Sequence, residues 1–527
     1  MIKMDLKQYS EELLQLIKLG KVKDAKKLNA LKAKLAEKYG FKEIPTNPTI
    51  MRFLGKSPEI KALLPKKPVR SLSGINVVAI MAKPHRCPGH CIYCPSSQID
   101  VATPKSYTGR EPATMRALQA NFDPKTQVSE RIRQLTETGH KANKLEIIIM
   151  GGTFLSTELS YQKEFVKQAI DAVTGKHSKN LEEAKLQAET SQRRITGITF
   201  ETRPDYCRKI HVNRMLSFGA TRCELGVQIL NDAVYKKIRR GHTVKDVVLA
   251  TRLLKDSGLK VCYHCMPGLP YANETLDLKS FKKMFSSEDF RPDNLKIYPC
   301  LVIKGTKLYE LYLQSKYEPL STEKAARLIA KVKKLVPPWV RIMRVQRDIP
   351  SQLIEAGVKK SNLRQIVQEY MQRKGWKCNC IRCREAALRK FKEGIEYEPE
   401  LKLFSDNYRA SHGTEIFLSF ENPERSLLFA YCRLRIPEQS FRKEISNKAA
   451  IIRELRVVGE PLLLGEHKEE AIQHKGLGAA LLREAERIAK ETFDKKEMVV
   501  LSGLGVKEYY RKKFGYKNKG PYVHKKL

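Results

Sequence analysis

The stretch Cys87-Pro-Gly-His-Cys91-Ile-Tyr-Cys94 places three cysteines at the spacing C-x-x-x-C-x-x-C. Thiolates are soft ligands that bind iron–sulfur clusters and zinc. This spacing lets one loop bind three corners of a 4Fe-4S cubane, and the fourth iron stays open to chelate and reductively cleave S-adenosylmethionine. A structural zinc site would need a fourth protein ligand, for which His85 and His90 are the candidates. Spacing alone favours the cluster over zinc.

Length and composition set the class of protein. The chain has 527 residues, enough for two or three domains that each bury a core. Its 12 cysteines cluster, which indicates metal sites in a reducing compartment and not a disulfide scaffold. The sequence contains no run of about 18 apolar residues and no signal-peptide core. We therefore expect a cytoplasmic protein that does not bind a membrane.

The charge of the chain predicts a polyanionic partner. The formal net charge is +41 and the sequence pI is about 9.7. Nucleic acid is favoured over a membrane surface because no basic segment has a strongly apolar, aromatic face. Residues 1–40 show two helical runs with lysines on one face, and residues 41–70 are a proline-rich connector. The alternatives are a solvated basic surface and a proteome-wide bias toward lysine.

The cysteine loop follows a strand-like run at residues 75–81, and strand-like runs then alternate with helical stretches. The later runs lie at 145–150, 195–200, 222–227, 260–266 and 294–298, with helical stretches such as 161–173 and 244–257. This alternation predicts an α/β fold with a parallel sheet, a full or partial (β/α) barrel, over residues 71–340. After Val336-Pro337-Pro338-Trp339 the alternation stops, so we expect no further strand of this sheet.

Unusual residues follow the predicted strands, where a barrel places its active site. Paired glycines let backbone amides approach the methionyl amino and carboxylate groups of a cofactor, and an arginine can clamp a carboxylate. The alternatives are an ordinary turn for the glycines and a surface ion pair for the glutamate and arginine. The residues concerned are Gly151, Gly152, Glu201, Arg203, Gln228 and His264.

A second group of cysteines, Cys378, Cys380 and Cys383, has the spacing C-x-C-x-x-C among lysines and arginines. Three thiols within six residues predict a metal site, and the basic flanks favour structural zinc over a second cluster. Three free structural cysteines are the alternative. The spacing does not identify a fourth ligand. We assign residues 341–410 to a zinc-binding linker.

The last region, residues 411–527, has the order of an acetyltransferase core. Antiparallel strands are predicted at 415–420, 426–434 and 451–458, followed by the turn Gln473-His-Lys475-Gly476-Leu-Gly478, a helix at 479–492 and a strand at 498–502. Such a glycine turn at a helix N-terminus offers backbone amides to a pyrophosphate. Tyr510 can donate a proton to a thiolate leaving group. A tyrosine of the core is the alternative.

From about Lys83 onward the chain resembles the catalytic subunit of Elongator, most closely its archaeal form. The resemblance rests on the cysteine loop and on nine further motifs in the family's order. These motifs are residues 106–112, 150–154, 201–205, 224–228, 240–243, 266–270, 380–385, 473–478 and 509–511.

The resemblance implies a radical S-adenosylmethionine (SAM) domain fused to a GNAT-type acetyltransferase domain. Cys87, Cys91 and Cys94 would hold the 4Fe-4S cluster, near the candidate SAM contacts Gly151, Gly152, Glu201, Arg203 and Gln228. Tyr510 and Lys144 would be catalytic, and Lys144 would reach acetyl-CoA from the radical SAM domain. The other acetyl-CoA contacts would be Glu454, Leu455, Arg456, Val457, Gln473, Lys475, Gly476, Leu477, Gly478 and Ala479.

The resemblance also implies a reaction on the wobble uridine of tRNA. A 5′-deoxyadenosyl radical would take hydrogen from the acetyl methyl group, and the carbon radical would add to C5 of the uridine. Thioester hydrolysis would leave 5-carboxymethyluridine. The partner would be the tRNA anticodon loop, with residues 1–70 contributing to tRNA binding. A homodimer is allowed, and we do not expect other Elongator-like subunits to be required.

Four positions depart from the family pattern. Ser96 and Ser97 stand where glycines are expected, which could alter SAM access, and Arg456 and Val458 replace a histidine and a tyrosine. Two other functions compete with the implied one. A protein (histone) lysine acetyltransferase with a structural cluster would need a base, for which Glu454 is the candidate. The other is a tRNA-binding scaffold without chemistry.

Overall fold

The computed structural model describes residues 2–20, 25–41, 44, 45, 50, 53, 74–95, 103–394, 400–458 and 476–527. Within these residues the chain forms two large sheets that contact each other, preceded by a pair of helices. None of the helices described is long and apolar enough to cross a membrane.

The first large sheet is wholly parallel, with the strand order β1-β2-β3-β4-β5-β6-β8. Its strands are β1 (Asn76–Met81), β2 (Lys144–Met150), β3 (Arg194–Thr202), β4 (Arg222–Gln228), β5 (Lys260–Cys265), β6 (Asn294–Ile297) and β8 (Arg341–Arg344). A short antiparallel pair, β7 (Val302–Ile303) and β9 (Ile354–Ala356), lies beside it. Because β1 and β8 are not paired, the sheet is an open part of a barrel, as predicted.

Helices connect these strands and cover one face of the sheet. They are α3 (Pro112–Gln119), α4 (Pro124–Glu137), α5 (Leu159–Thr174), α6 (Leu181–Thr190), α7 (Lys209–Ser217), α8 (Asp232–Lys237), α9 (Val244–Asp256), α10 (Glu274–Ser286), α11 (Lys307–Leu313) and α12 (Thr322–Leu335). Buried apolar side chains of α4 to α7, α9, α10 and α12 pack on strand residues such as Val78, Ile147 and Phe200 in one continuous core, whereas those of α3, α8 and α11 belong to two smaller clusters. This apolar stripe stabilises each helix in place.

The second large sheet has the order β10-β11-β12-β13-β14-β16-β15 and is antiparallel except between β13 and β14. Three short helices lead into it: α13 (Leu363–Arg373), α14 (Ile381–Arg384) and α15 (Ala386–Glu393). The sheet and its helices comprise β10 (Lys402–Ala410), β11 (Gly413–Glu421), β12 (Leu428–Ile436), β13 (Ala449–Val457), α16 (Leu477–Glu491), β14 (Glu497–Val500), α17 (Lys507–Phe514), β15 (Lys517–Lys519) and β16 (Tyr522–Lys526). The predicted antiparallel strands and the long helix are all present.

Six strands were not predicted: β7, β8, β9, β10, β15 and β16. The expectation that the parallel sheet gains no strand after Trp339 is wrong, because β8 pairs with β6. Strand β10 begins the second sheet before residue 411. Both lack an apolar run: β8 buries only Ile342 among arginines and a methionine, and β10 is an edge strand whose side chains are mostly exposed. The boundaries of the four predicted regions stay predictions.

The predicted N-terminal helical pair is present as α1 (Ile2–Lys18) and α2 (Ala25–Lys38). The two helices share a small core around Tyr9, Leu13 and Leu35. Nζ of Lys38 donates to Glu12 at 2.7 Å across the pair. Their lysine-rich faces lie outside this core, as the sequence pattern indicates.

A buried network of charges joins the two large sheets. Arg453 of β13 donates to both carboxylate oxygens of Asp293 at 2.8 and 2.6 Å and to Glu415 at 2.7 Å. Its Nη1 also donates to the carbonyl of Leu259 at 3.0 Å. Asp293 and Leu259 precede β6 and β5, so the second sheet packs against the N-terminal ends of the parallel strands. Buried, hydrogen-bonded charges of this kind fix one relative orientation of the two sheets.

Candidate active site

A single cavity of about 1210 Å³ extends along the inner face of the parallel sheet. At one end it is lined by the cysteine loop and by Thr153, which follow the C-terminal ends of β1 and β2. At the other end it is lined by Asn76 and Asn294, at the N-terminal ends of β1 and β6. Glu454 and Arg456 of the second sheet also line it. The cavity therefore connects the predicted cluster site with the predicted acetyltransferase sheet.

The three cysteines of the first loop face this cavity. Sγ of Cys91 accepts a hydrogen bond from Nη1 of Arg240 at 3.4 Å, and Sγ of Cys87 lies 3.7 Å from Oγ1 of Thr153. Burial raises the pKa of Cys91, but Arg240, a hydrogen bond with Tyr93 and the charge of Arg203 together lower it by more, so the net pKa lies below its usual value. A stabilised thiolate is the form that binds iron.

The geometry of the first loop differs from that of a single-ion site. Around one tetrahedral zinc the sulfurs would lie about 3.8 Å apart, since each Zn–S bond is about 2.3 Å. The sulfurs of Cys87, Cys91 and Cys94 are not all within 4.8 Å of one another. In a cubane each cysteine binds a different iron, so a wider spacing is required. His85, a candidate fourth zinc ligand, has its ring nitrogens 3.0 and 3.3 Å from the carbonyls of Lys83 and Thr153.

Arg203 lies buried beneath the cysteine loop. Its Nε and Nη2 donate to Asp205 at 3.0 and 2.9 Å, and Nη1 is buried without a partner in the described part of the chain. A Cβ placed on Gly89 would come within 2.1 Å of Nη1, so the loop can approach the guanidinium only with glycine there. Because Asp205 already accepts from Nε and Nη2 of Arg203, Nη1 is the donor that remains for a cofactor.

The structure brings the other predicted strand-end residues to the same end of the cavity. Gly152 and Gln228 line it, and Gly151 packs where a Cβ would come within 3.2 Å of Ala82 N. Gln228 has a φ of 69°, a left-handed conformation that is uncommon for a residue other than glycine. Such a conformation costs on the order of 1–3 kcal/mol and is found mainly at functional sites.

Charged side chains from four strands form a continuous chain across the cavity wall. Tyr107 donates to Glu201 at 3.0 Å, and Lys296 lies 3.3 Å from the other oxygen of Glu201 and pairs with Glu224. Arg222 lies between Glu224 and Glu146 and so extends this chain of charges toward the N-terminal ends of the strands. Its Nε lies 3.2 Å from Glu224, and it also pairs with Glu146. Burial raises the pKa of Glu224, but Lys296, the hydrogen bond of His264 and Arg222 lower it well below its usual value.

Sequence reasoning noted Glu201 and His264 but missed the rest of this chain and Arg240. The signal that could have found them is the presence of charged residues inside otherwise buried strands, as in Arg222-Cys-Glu224 of β4. Such residues are rarely buried unless they are paired. Arg240 could have been found from its place shortly after the C-terminal end of β4.

Ligand atoms of Glu224, Cys262 and His264 lie within 4.8 Å of one another. This group does not suit a cation, because Lys296 and Arg222 already bring positive charge to Glu224. Burial also raises the pKa of Cys262, so its thiol stays protonated. We therefore do not assign a metal to it.

The second cysteine group is compact. The sulfurs of Cys378, Cys380 and Cys383 all lie within 4.8 Å of one another, which fits a single tetrahedral ion. Hydrogen bonds from Cys378 and Cys380 hold the pKa of Cys383 well below its usual value, and Lys333, whose Nζ lies 3.7 Å from this sulfur, lowers it further. No histidine or carboxylate joins the group among the residues that the structure describes.

The predicted acetyl-CoA contacts lie at the end of β13 and the start of α16. Glu454, Leu455, Arg456 and Val457 form the end of β13, and α16 begins with Leu477, Gly478 and Ala479 after Gly476 in a left-handed conformation (φ 70°). A Cβ on Gly478 would lie 3.5 Å from both Val457 and the hydroxyl of Tyr509, so strand and helix meet here. Gln473 and Lys475 lie outside the described residues, as do Ser96 and Ser97.

Glu454 is partly buried, and both of its carboxylate oxygens accept hydrogen bonds. It accepts from Nε of Arg433 at 2.9 Å and from the hydroxyl of Tyr431 at 3.1 Å. Burial raises the pKa of Glu454, but Arg433, Lys260 and Arg456 lower it further, to about 2. A carboxylate with this pKa is a weak base at neutral pH.

The two predicted catalytic residues lie outside the cavity wall. Tyr510 is buried in the core of the second sheet beside Tyr509 and Tyr516, and burial raises the pKa of Tyr510, so its hydroxyl keeps its proton. Lys144 opens β2, and burial lowers its pKa. In the adjacent strand Arg194 lies 3.8 Å from Glu508 of α17, which places the start of β2 near the helix that carries Tyr510.

Two family models match the chain. The Radical SAM superfamily model matches residues 82–278, and the Radical_SAM C-terminal domain model matches residues 292–373. The first match begins directly after β1 and includes the cysteine loop and strands β2 to β5. A radical SAM domain implies a 4Fe-4S cluster and SAM, and the three thiols of the loop face the cavity, where they could hold that cluster.

Relatives match nearly the whole chain. The tRNA uridine(34) acetyltransferase of Methanocaldococcus infernus is 49% identical, with 98% of each chain covered. Elongator complex protein 3 of Homo sapiens is 42% identical, with 95% of this chain and 93% of the human protein covered. The solved structure of the archaeal Methanocaldococcus infernus Elp3, with residues 1–46 deleted, is 46% identical and has a TM-score of 0.77 over 86% of this chain and all of that one. The chain therefore belongs to the acyltransferase family that comprises the archaeal tRNA uridine(34) acetyltransferases and Elongator complex protein 3.

Proposed function

We propose that the chain carboxymethylates the wobble uridine of tRNA, taking the acetyl group of acetyl-CoA and joining its methyl carbon to C5 of the base. The observation that carries this proposal is the shared cavity. Cys91 of the radical SAM loop and Glu454 of the acetyltransferase sheet line the same space. A radical generated at one end can therefore reach an acyl group held from the other without crossing bulk water.

The residues of the cavity have distinct roles in this proposal. Cys87, Cys91 and Cys94 would hold the 4Fe-4S cluster, which when bound would supply the electron for reductive cleavage of SAM. The free Nη1 of Arg203 and the side chain of Gln228 orient the SAM methionyl group. Residues 454–457 and the start of α16 hold acetyl-CoA, because backbone amides at a helix N-terminus suit its pyrophosphate.

Three further residue roles belong to this proposal. Tyr510 keeps its proton and can supply it to the leaving thiolate of CoA. Lys144, at the start of β2, approaches the acetyl-CoA from the radical SAM side. The second cysteine group binds a structural zinc ion, because its three sulfurs are already close enough for one ion.

The substrate proposal rests on charge and on the names of the relatives. The mouth of the cavity carries arginines that suit phosphates: Arg110, Arg116, Arg344 and Arg347 line it. The net charge of +41 also favours binding of a polyanion such as tRNA. A relative that is 49% identical is named a tRNA uridine(34) acetyltransferase.

The competing lysine acetyltransferase function is weakened by the state of its candidate base. Glu454 was its candidate, and ion pairs hold the pKa of Glu454 at about 2. A base that weak deprotonates a lysine ammonium group poorly. A tRNA-binding scaffold without chemistry would need neither a lowered pKa of Cys91 nor a cavity that joins the two sheets.

The test uses the full chain with its cluster reconstituted anaerobically. With SAM, acetyl-CoA, a reductant and tRNA, we expect 5-carboxymethyluridine by mass spectrometry of the digested tRNA, and we expect Cys91→Ala to form none. Absence of product from a protein with an intact cluster and both cofactors bound would contradict the proposal. If basic peptides stimulated acetyl-CoA hydrolysis and tRNA did not, the lysine acetyltransferase function would be favoured.

A further inference from the structure

His264 stands out because, among the described residues that line the cavity, it is the only histidine. It lies in β5, and its Nε2 is 2.7 Å from Oε2 of Glu224 in the neighbouring strand. Its side chain keeps 14% of its surface exposed, whereas Glu224 is fully buried. The ring of Tyr298 packs edge-on against the imidazole at 5.5 Å. The imidazole is therefore held in place and still reaches the cavity.

The hydrogen bond to Glu224 fixes which nitrogen of His264 carries hydrogen. An ionised carboxylate only accepts, so Nε2 is the donor and Nδ1 has the free lone pair. Lys296 and Arg222 keep Glu224 ionised, as its lowered pKa shows. No hydrogen bond to Nδ1 of His264 is found within the part of the chain that is described. An imidazole oriented by a carboxylate with its other nitrogen free is the arrangement of a general base.

The carboxylates that line the cavity are poor alternatives because each has a partner. Their partners are cations, hydroxyl groups or backbone N–H groups, which already occupy carboxylate oxygens. The group comprises Glu111, Glu146, Glu201, Glu224, Asp348, Glu385 and Glu454. Nδ1 of His264, by contrast, has a lone pair that is not used by a donor in the described part of the chain, so it can accept a proton from water.

We propose that His264 is the general base that activates water to hydrolyse the thioester, an inference that rests on the proposed function. The carbonyl carbon is bonded directly to the methyl carbon that joins the base, so the thioester must lie in the same cavity. Water attacks this carbonyl carbon while Nδ1 takes its proton. The C–S bond then breaks, the thiolate receives a proton, and the products are the carboxymethyl group and CoA. The net reaction consumes one water, releases one proton at neutral pH and needs no oxidant.

The test compares the reconstituted wild type with His264→Asn, His264→Ala and the control His177→Asn, an exposed histidine outside the cavity. In the His264 variants we expect 5′-deoxyadenosine formation within about twofold of the wild type, because the radical step does not use this base. We expect 5-carboxymethyluridine to fall by about 100-fold, the usual contribution of a general base. A tRNA adduct that still carries CoA as a thioester should accumulate, and imidazole should restore its hydrolysis in His264→Ala.

Two outcomes would overturn the inference. One is formation of 5-carboxymethyluridine at the wild-type rate by both variants. The other is loss of 5′-deoxyadenosine together with the product and without an adduct, in variants whose circular dichroism and thermal unfolding match the wild type. If His264→Asn is unfolded, His264→Gln replaces it.

Failure of the proposed function can be recognised separately. If the wild type forms no modified uridine, release of CoA thiol from acetyl-CoA in the presence of tRNA still measures water activation and needs neither SAM nor a reductant. A fall of tenfold or more in His264→Asn, with His177→Asn unchanged, supports the role of His264. Equal thiol release by His264→Asn and the wild type overturns it.

Discussion

The two three-cysteine groups of this protein use the same ligand atoms in different geometries. Cys378, Cys380 and Cys383 are within six residues, and their sulfurs are already gathered to within 4.8 Å of one another. The sulfurs of Cys87, Cys91 and Cys94 stay further apart around the wall of a large cavity. The first arrangement fits one ion and the second fits a cluster with an open iron.

The surroundings of the two cysteine groups also differ, since one faces a cavity and the other includes a completely buried cysteine. The cavity group has Arg240 beside it and opens toward Gln228 and Arg203, which lie where a cofactor can reach them. In the compact group Cys380 is completely buried in the core. The spacing of the cysteines thus predicts a metal site in both groups. Whether the cysteines face a cavity is what suggests a reactive or a structural site.

The largest expected difference comes from removing one cysteine of the cavity group. Cys91→Ala should abolish cleavage of SAM, with 5′-deoxyadenosine reduced by at least about 100-fold, because the cluster loses one of its three ligands. The free energy of unfolding and the zinc content should stay close to the wild type. Liquid chromatography of 5′-deoxyadenosine, metal analysis and guanidinium unfolding measure these quantities. A Cys91→Ala protein that still cleaves SAM would show that the cluster is held elsewhere.

The second largest effect is expected from the compact group. Cys380→Ala should lower the free energy of unfolding by about 3 kcal/mol or more, because it removes both a metal ligand and a fully buried side chain. The absorption of the cluster near 400 nm should remain. Cys432→Ala is the matched control, since Cys432 is equally buried but belongs to neither group. Equal destabilisation by the two substitutions would mean that the compact group binds no stabilising metal.

How much of this could be predicted from sequence depends on the separation of the residues involved. Both cysteine groups are local, so their spacing indicated them directly. Strands β1 to β6 were predicted because their apolar runs are buried on a covered parallel sheet. Strands β8 and β10 were missed because one carries mostly polar side chains toward the cavity and the other lies at a sheet edge.

The chain of charges in the cavity could not be predicted in the same way. Glu201 and Lys296 lie 95 residues apart and meet only because β3 and β6 belong to one curved sheet. The pairing of Arg240 with Cys91 joins residues 149 apart. A single sequence gives the residue types of such contacts but not their partners. The shared cavity likewise depends on how Arg453 and Asp293 dock the second sheet.

A smaller effect is expected from replacing the basic residue beside each cysteine group, Arg240 or Lys333. Arg240→Gln removes the charge that lowers the pKa of Cys91, so we expect less iron per chain and about tenfold slower SAM cleavage. Arg240→Lys keeps the charge and should retain most of the iron. Lys333→Gln, beside Cys383, should leave SAM cleavage unchanged and weaken zinc retention against a chelator. Equal losses of iron in Arg240→Gln and Lys333→Gln would remove this distinction between the two sites.

The smallest expected effect is on the pH dependence of stability, through Asp277, whose neighbour Leu269 belongs to the core that supports the cysteine loop. Asp277 accepts a hydrogen bond from the backbone N–H of Gly268 at 2.8 Å, and Leu269 packs in the same core as Ile92 of the cysteine loop. Burial raises the pKa of Asp277 to about 7. The folded protein therefore holds this proton more tightly than the unfolded chain. Its contribution to stability is fully present below about pH 4 and is lost as pH rises through 7.

Asp277→Asn keeps the hydrogen bond to Gly268 and has no proton to lose. Relative to the wild type, its free energy of unfolding should therefore rise by about 2 kcal/mol between pH 5 and pH 8, as measured by guanidinium unfolding at both values. Other carboxylates titrate equally in the two proteins and cancel in this difference. At pH 8 the substitution should also slow loss of the cluster absorption, because the core that supports the cysteine loop is more stable, while zinc retention by the compact group should not change. A pH-independent difference between Asp277→Asn and the wild type would show that Asp277 is already ionised in the folded protein at pH 5.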